Sequence, residues 1–256
     1  MTQIIFTLAR FSVLEGIRTR IALLALVVLG IGLGLSWLLG QVTITETRQI
    51  QAALAASFFR FAAVFIIAAF VVISQARESA DKGLDMLLSL PVPRAVYYLG
   101  KLLGYAAVAW LLALSFGLPL ALFAPPASVL AWTVSLGLEL SLIAAASLFF
   151  VTTLAQVPAA LAAVFGFYVL SRAMAALQLI GGSSLMDDGS LTPRIVQWLL
   201  HGIAAVLPRL DLFTQPAWLT GAAMPAGVLS SIFLQAIIYI ALLTAAGLID
   251  LHRKNF

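Results

Sequence analysis

Long apolar blocks alternate with short polar breaks along this chain, and the block lengths are those of membrane spans. Six blocks, at 21–40, 54–74, 102–124, 129–152, 159–180 and 227–249, are built mainly from Leu, Ala, Val, Ile and Phe. A helix rises about 1.5 Å per residue, so about 20 apolar residues cross the ~30 Å hydrocarbon core of a bilayer. The breaks carry polar or turn-forming residues. Glu46 and Arg48 lie in the first, the charged stretch 75–101 forms the second, and Pro125-Pro126 marks the third. Gln156 and Pro158 lie in the fourth, 181–226 is the fifth, and the tail runs from Asp250 to Phe256.

Two further regions have helical character without the length to span. Residues 195–207 form an apolar run of 13 residues, which reads as a re-entrant or interfacial helix. Thr192 and Pro193 suit its N-cap and first helical position, and Pro208 stops it. A second short element is expected from about Pro216 to Ala223. Before the first span, Gln3, Thr7, Arg10 and Arg18 fall near one helical face, and Ile4, Ile5, Leu8 and Phe11 on another. That pattern predicts an interfacial helix over 1–20, lying flat with Arg18 and Arg20 at headgroup level. It is not the pattern of a cleaved signal, whose short apolar core follows soon after a basic start. The predicted fold is all-α: one membrane domain over 1–256, with six transmembrane helices, an N-terminal interfacial helix and short re-entrant or interfacial helices before the last span.

Composition agrees. The chain is 63% hydrophobic and 9% charged, against about 25% charged in an average soluble domain. A soluble fold of this size cannot hide so much apolar surface, and a β-barrel would show short alternating segments in place of long blocks. There is no cysteine, which excludes disulfides, thiolate metal sites and Cys nucleophiles. The net charge of +4 reads as membrane orientation, because no basic cluster is interleaved with base-stacking aromatics; no nucleic-acid partner is expected. With the N-terminus inside, nine basic residues fall on the inner side: Arg10, Arg18, Arg20, Arg77, Lys82, Arg94, Lys101, Arg253 and Lys254. Four fall outside, Arg48, Arg60, Arg194 and Arg209. The bias predicts both termini in the cytoplasm, which an even number of spans allows.

Charge is scarce, and its distribution is uneven. Of 24 charged residues, seven lie between Arg77 and Lys101. Glu78, Asp81, Lys82 and Asp85 share one helical face at i, i+3, i+4 and i+7, while Leu84, Leu87 and Leu88 share another. Pro91 and Pro93 end this short amphipathic helix before the chain restarts into Tyr97 and Tyr98. Its apolar side must pack on the membrane domain or on a partner.

This stretch, Glu78-x-x-x-Lys82-Gly83-x-Leu-x-x-Leu87-Leu88-Ser89-Leu-Pro91 with Arg94 and Leu-x-Gly100-Lys101-Leu following, resembles the loop of type-2 ABC exporter permeases. The late Leu207-Pro208-Arg209-Leu210-Asp211-Leu212-Phe213 segment and the basic tail are similar too, and the branch it looks most like is the one linked to multicopper-enzyme maturation. The resemblance implies a permease paired with a second copy or a related permease. Separate ABC ATPase subunits would bind ATP and Mg and dock beneath it, in a bacterial plasma membrane. Residues 75–101 would be the cytoplasmic coupling loop, with Glu78, Asp81, Lys82, Gly83, Leu84, Asp85, Leu87, Leu88, Pro91 and Arg94 entering an ATPase groove. In this family the first and fifth spans commonly meet the partner permease. Import is disfavoured, since only six residues separate Gly83 from Leu90-Pro91 where the importer loop is wider. The chain itself carries no phosphate loop: Gly100-Lys101 is followed by Leu102, and position 95 is Ala. No enzymatic activity and no cofactor are expected on this chain.

Three ionisable residues sit inside spans and are functional candidates by default. Glu139 lies roughly 15 Å deep, Arg172 roughly 12 Å and Arg60 roughly 9 Å. Glu139 and Arg172, on consecutive antiparallel spans, are expected to pair, as a structural staple or as a polar point in a pathway. Arg60 is expected to snorkel to the outer headgroups. An alternative function, ion-coupled secondary transport through Glu139 and Arg172, would normally show broken helices or repeats, which are not evident. An intramembrane enzyme would need a convergent set that one span-core carboxylate does not supply. Gly30, Gly32 and Gly34 include a Gly-x-x-x-Gly spacing that suits either a dimer seam or packing within the chain. His201 and His252 are predicted on opposite sides and the methionines are scattered, so no metal site is expected; Asp187-Asp188 reads as a solvated turn.

Overall fold

In a computed structural model, residues 2–19, 21–42, 47–80, 93–154, 156–181, 198, 200, 202–204, 206–222, 224–225 and 227–253 are described. Among them there is no strand. The long helices are α1 (Thr2–Arg18), α2 (Ile21–Val42), α3 (Thr47–Ala80), α4 (Arg94–Gly117), α5 (Pro126–Leu154), α6 (Val157–Gly181) and α7 (Val228–Arg253). Short 3-10 turns cover Leu118–Leu122, Leu210–Leu212 and Pro216–Leu219. Six helices, α2 to α7, are long and apolar enough to cross a membrane. The protein is an all-α polytopic membrane protein.

α5 is the axis. It is apolar on all sides, as a helix surrounded by others must be, and 83% of its most apolar window is buried. α3, α4, α6 and α7 pack around it. α2 is peripheral: it leans on α3, and only 17% of its window is buried. Pro126 opens α5 where its missing N–H costs nothing.

Several helices run past the apolar blocks that announced them. α3 extends to Thr47 and Ala80, beyond the 54–74 block, because its polar ends find partners. Gln51 donates to the Ser36 carbonyl at 2.8 Å, and Ser74 donates to the Glu15 carboxylate at 2.8 Å. Glu78, expected to open a separate loop helix, belongs instead to the last turn of α3. Asp81, Lys82, Gly83, Leu84, Asp85, Leu87, Leu88 and Pro91 lie outside the described residues. So do Arg20, Asp187, Asp188, Arg194, His201, Lys254 and most of the 195–207 run.

α1 does not lie alone in the interface. It is laid along α4, running in the same direction. A Cβ on Gly100 would meet Leu8 Cβ at 2.9 Å, one on Gly104 would meet Ser12 Cβ at 2.6 Å, and α1 presents its own Gly16 to Val108. About 16 Å of α1 thus covers about 12 Å of α4, an oblique crossing. The buried stripe of α1 is therefore the small-residue line through Ser12 and Gly16, while Phe6 and Phe11 are exposed. Sequence periodicity puts Phe11 with Ile5 and Leu8; close approach at Gly100 and Gly104 turns the seam toward smaller residues.

Of the Gly30, Gly32 and Gly34 set, Gly32 alone packs within the chain, against Phe58 and Phe59. A Cβ on Gly30 or Gly34 would meet nothing within 4 Å. This contrast predicts opposite outcomes for similar substitutions. Gly104→Leu should destabilise the detergent-solubilised protein by about 1–3 kcal/mol through overpacking, whereas Gly34→Ala should be neutral or slightly stabilising. Chemical denaturation followed by helix content checks both, and equal effects would place the α1–α4 seam elsewhere.

Candidate functional site

The chemistry-bearing residues gather in two layers. The first is at membrane depth on α5. Glu139 lies 13 residues after Pro126 in a helix of 29, and Ser135 lies one turn before it on the same face. Both are fully buried. Arg172 reaches them from α6, with Nη1 3.2 Å from Glu139 Oε1. The sequence placed these two charges at similar depths on neighbouring antiparallel spans, and they form an ion pair.

The pair has a third member that the sequence did not single out. Residues 208–219 enter the bundle as irregular backbone flanked by 3-10 turns, and Leu210, Phe213 and Thr214 are fully buried. Backbone of this kind is tolerated at membrane depth only where its polar groups are satisfied by protein or water. Arg172 does much of this: Nη1 donates to the Leu210 carbonyl at 2.8 Å and Nη2 to the Phe213 carbonyl at 3.2 Å. Thr214 completes the knot. Its N–H donates to Ser135 Oγ at 2.9 Å, its hydroxyl donates to Glu139 Oε2 at 2.6 Å, and its carbonyl accepts from Arg60 Nη1 at 3.2 Å. Thr214 has φ of 45°, which is strained for a β-branched residue. Such strain costs about 1–3 kcal/mol and persists only where the surroundings over-determine it. Here three of its groups are held at once.

Arg60 corrects an expectation. It does not snorkel to headgroups; it is buried at 7% exposure and points inward to Thr214. Its guanidinium lies 4.8 Å from the centre of the Phe61 ring. The physical reason is the buried Thr214 carbonyl, an acceptor that helix depth alone could not reveal. One legible signal for the knot was the Ser135-x-x-x-Glu139 spacing, two polar residues one turn apart on an otherwise apolar span. Arg209, further out on the same segment, pairs locally with Asp211 at 3.1 Å.

The second layer ties the ends of the 77–101 stretch. Lys101 of α4 forms an ion pair with Glu78 of α3 and lies 5.9 Å from the Tyr105 ring centre. Gln75 donates to Tyr97 Oη at 3.0 Å. The Tyr105 hydroxyl lies 3.2 Å from Ser74 Oγ, which itself donates to Glu15, so α1, α3 and α4 are joined by one hydrogen-bonded chain. On the other side, Arg94 donates to the Leu251 carbonyl at 2.8 Å, fixing the start of α4 to the end of α7. Tyr98 packs directly on Gly247 of α7. Of the loop residues named from sequence, Glu78 and Arg94 are thus placed at the base of the loop.

No group of three or more His, Asp or Glu side chains suited to a metal ion occurs among the described residues. No family model matches the chain, and no curated protein matches it.

The knot makes a thermodynamic prediction. Removing Arg172 leaves a buried carboxylate and two buried carbonyls short of a donor, so Arg172→Ala should cost about 3–5 kcal/mol. Glu139→Gln keeps the shape and an acceptor for Thr214 and should cost less. Arg172→Ala combined with Glu139→Ala should cost clearly less than the two single substitutions summed. Denaturation midpoints of the four variants check this; strict additivity would mean that the two side chains are energetically independent.

Proposed function

We propose that this chain is the membrane-spanning permease subunit of an ATP-driven exporter. It acts with a second permease copy or a related permease, and ATP with Mg²⁺ is hydrolysed on separate ABC ATPase subunits. Both termini face the cytoplasm of a bacterial plasma membrane, the side favoured by the nine-to-four distribution of basic residues. The ATPase docks on residues 78–91, whose leucine face at 84, 87 and 88 has the period of a groove-binding helix.

The observation that supports this reading best is the clamp at the loop base. The loop leaves α3 at Glu78 and enters α4 near Arg94 and Lys101, and these residues are held to one another and to α7. A push on the loop is therefore delivered to three spans together, which suits rigid-body transmission. Glu139 and Arg172 then act as a staple for the 208–219 segment. Ion-coupled transport through them is less well supported, because both carboxylate oxygens and both terminal guanidinium nitrogens are already engaged.

Two experiments test the proposal. A polypeptide with a G-x-x-x-x-G-K-[ST] phosphate loop should co-purify with the chain from its native membrane and be lost on Leu84→Asp, Leu87→Asp and Leu88→Asp together. A complex that survives those changes, or transport by the reconstituted chain without ATP, overturns it. In the complex, Glu78→Lys or Lys101→Glu alone should lower transport per ATP hydrolysed, and the double reversal should restore it. Failure of the double reversal to restore coupling would remove the clamp from the mechanism.

A further inference from the structure

Between the α1–α2 corner and α3 lies a cleft of about 570 Å³. Its walls are apolar, formed by Leu24 and Val28 of α2 and by Phe65, Ile66 and Ala69 of α3. Its mouth carries Arg18 and Arg77, with Glu15 beside them. The two arginines are exposed, come from different helices, and enter no ion pair among the described residues. Glu15 has one oxygen committed to Ser74. Two guanidinium groups against one carboxylate leave the mouth with one net positive charge.

The charge lies at one end only. Arg18 comes three residues before the apolar start of α2, and Arg77 three residues after Ser74, where the apolar block of α3 ends. Both arginines therefore sit at headgroup level, since each stands just outside an apolar span. From Arg18 to Val28 is ten residues, roughly 15 Å, which is half of the ~30 Å hydrocarbon core and so the depth of one leaflet. The walls also open sideways, because Leu24 and Phe65 are half exposed or more. A second cleft of about 320 Å³, on the α4 side of the same corner, has no charged residue in its lining and offers no such match.

We propose that the larger cleft is a resident site for an anionic phospholipid. Arg18 and Arg77 hold its phosphate, and one acyl chain runs between α2 and α3 over Leu24, Val28 and Phe65. Charge complementarity at the mouth and one-leaflet apolar depth behind it select a lipid over a soluble anion, which would use the mouth and leave the walls bare. The site explains how α2, so little buried, keeps its place: the lipid fills the gap that its own side chains leave against α3. This inference does not depend on which side of the membrane the mouth faces, nor on the permease reading.

Native mass spectrometry of the purified full chain tests it, with phosphatidylglycerol, diacylglycerol of the same chains, and inorganic phosphate as probes. The expected result is one retained phosphatidylglycerol, bound about tenfold or more weakly after Arg18→Gln with Arg77→Gln, on the scale of losing two basic contacts to an anionic lipid. Ala69→Trp, which fills the cleft and leaves the mouth intact, should also expel it. Diacylglycerol should bind weakly to every variant, and inorganic phosphate should not displace the lipid. Unchanged retention in both variants, equal binding of diacylglycerol, or full displacement by inorganic phosphate would each overturn the proposal. Both arginines are exposed, so the double substitution leaves the packed core untouched.

Discussion

An irregular stretch of backbone buried in an apolar bundle must have its peptide groups satisfied from within, and here Arg172 is the main source of donors. Lipid offers no alternative partner, and an unsatisfied carbonyl or carboxylate at this depth costs several kcal/mol. Arg172 serves Glu139 and the carbonyls of Leu210 and Phe213 at once. Glu139 in turn keeps the arginine charge compensated and accepts from Thr214. The central helix, the 208–219 segment and α6 are therefore fixed by one knot, and Arg60 adds α3 to it. A buried ion pair is often weak evidence for stability, since an apolar replacement can do as well. That argument does not carry over here, because an apolar substitute would leave the backbone carbonyls unserved.

How much of this was legible follows from what each feature depends on. Spans depend on composition and length, so all six could be read from apolar blocks, with ends displaced where polar residues continue the helix. Glu78 shows why. Its charge marks it as loop in sequence, yet in the fold Lys101 neutralises it, so the helix continues through it. The Glu139–Arg172 pair was readable because depth on antiparallel neighbours is nearly a distance. Thr214 and the inward turn of Arg60 were not readable, since both depend on a segment that enters the bundle without helical periodicity. The face of α1 was misjudged for a related reason: hydropathy weighs Phe11 above Ser12, while packing against Gly100 and Gly104 favours the smaller side chain.

The same logic separates the glycines. A Gly-x-x-x-Gly spacing says only that two backbones could approach. Gly100 and Gly104 use that freedom for α1, whereas Gly30 and Gly34 meet nothing in this chain. Spacing alone cannot distinguish them, because the partner surface is set by tertiary topology. What does distinguish them is position: α4 lies against the central helix and has a second face to fill, while α2 stands at the edge.

The two polar layers are joined by α3, and its sequence makes it suited to join them. Alone among the seven long helices, α3 contains neither glycine nor proline over its 34 residues. Kinks arise at Pro, at Gly or at inserted bulges, so α3 is the element least able to absorb a displacement by bending. Arg60, near one end, holds Thr214; Glu78, 18 residues further on, holds Lys101. That is roughly 27 Å of uninterrupted helix between the knot and the loop base. Under the proposed permease function, a movement imposed at the loop cannot be dissipated along α3. It must tilt or translate the whole helix, and the Arg60 contact then loads the one strained residue of the 208–219 segment. Coupling between distant sites needs an element that both of them bias. In this fold that element is the Thr214 turn, held from α3 on one side and from α5 and α6 on the other.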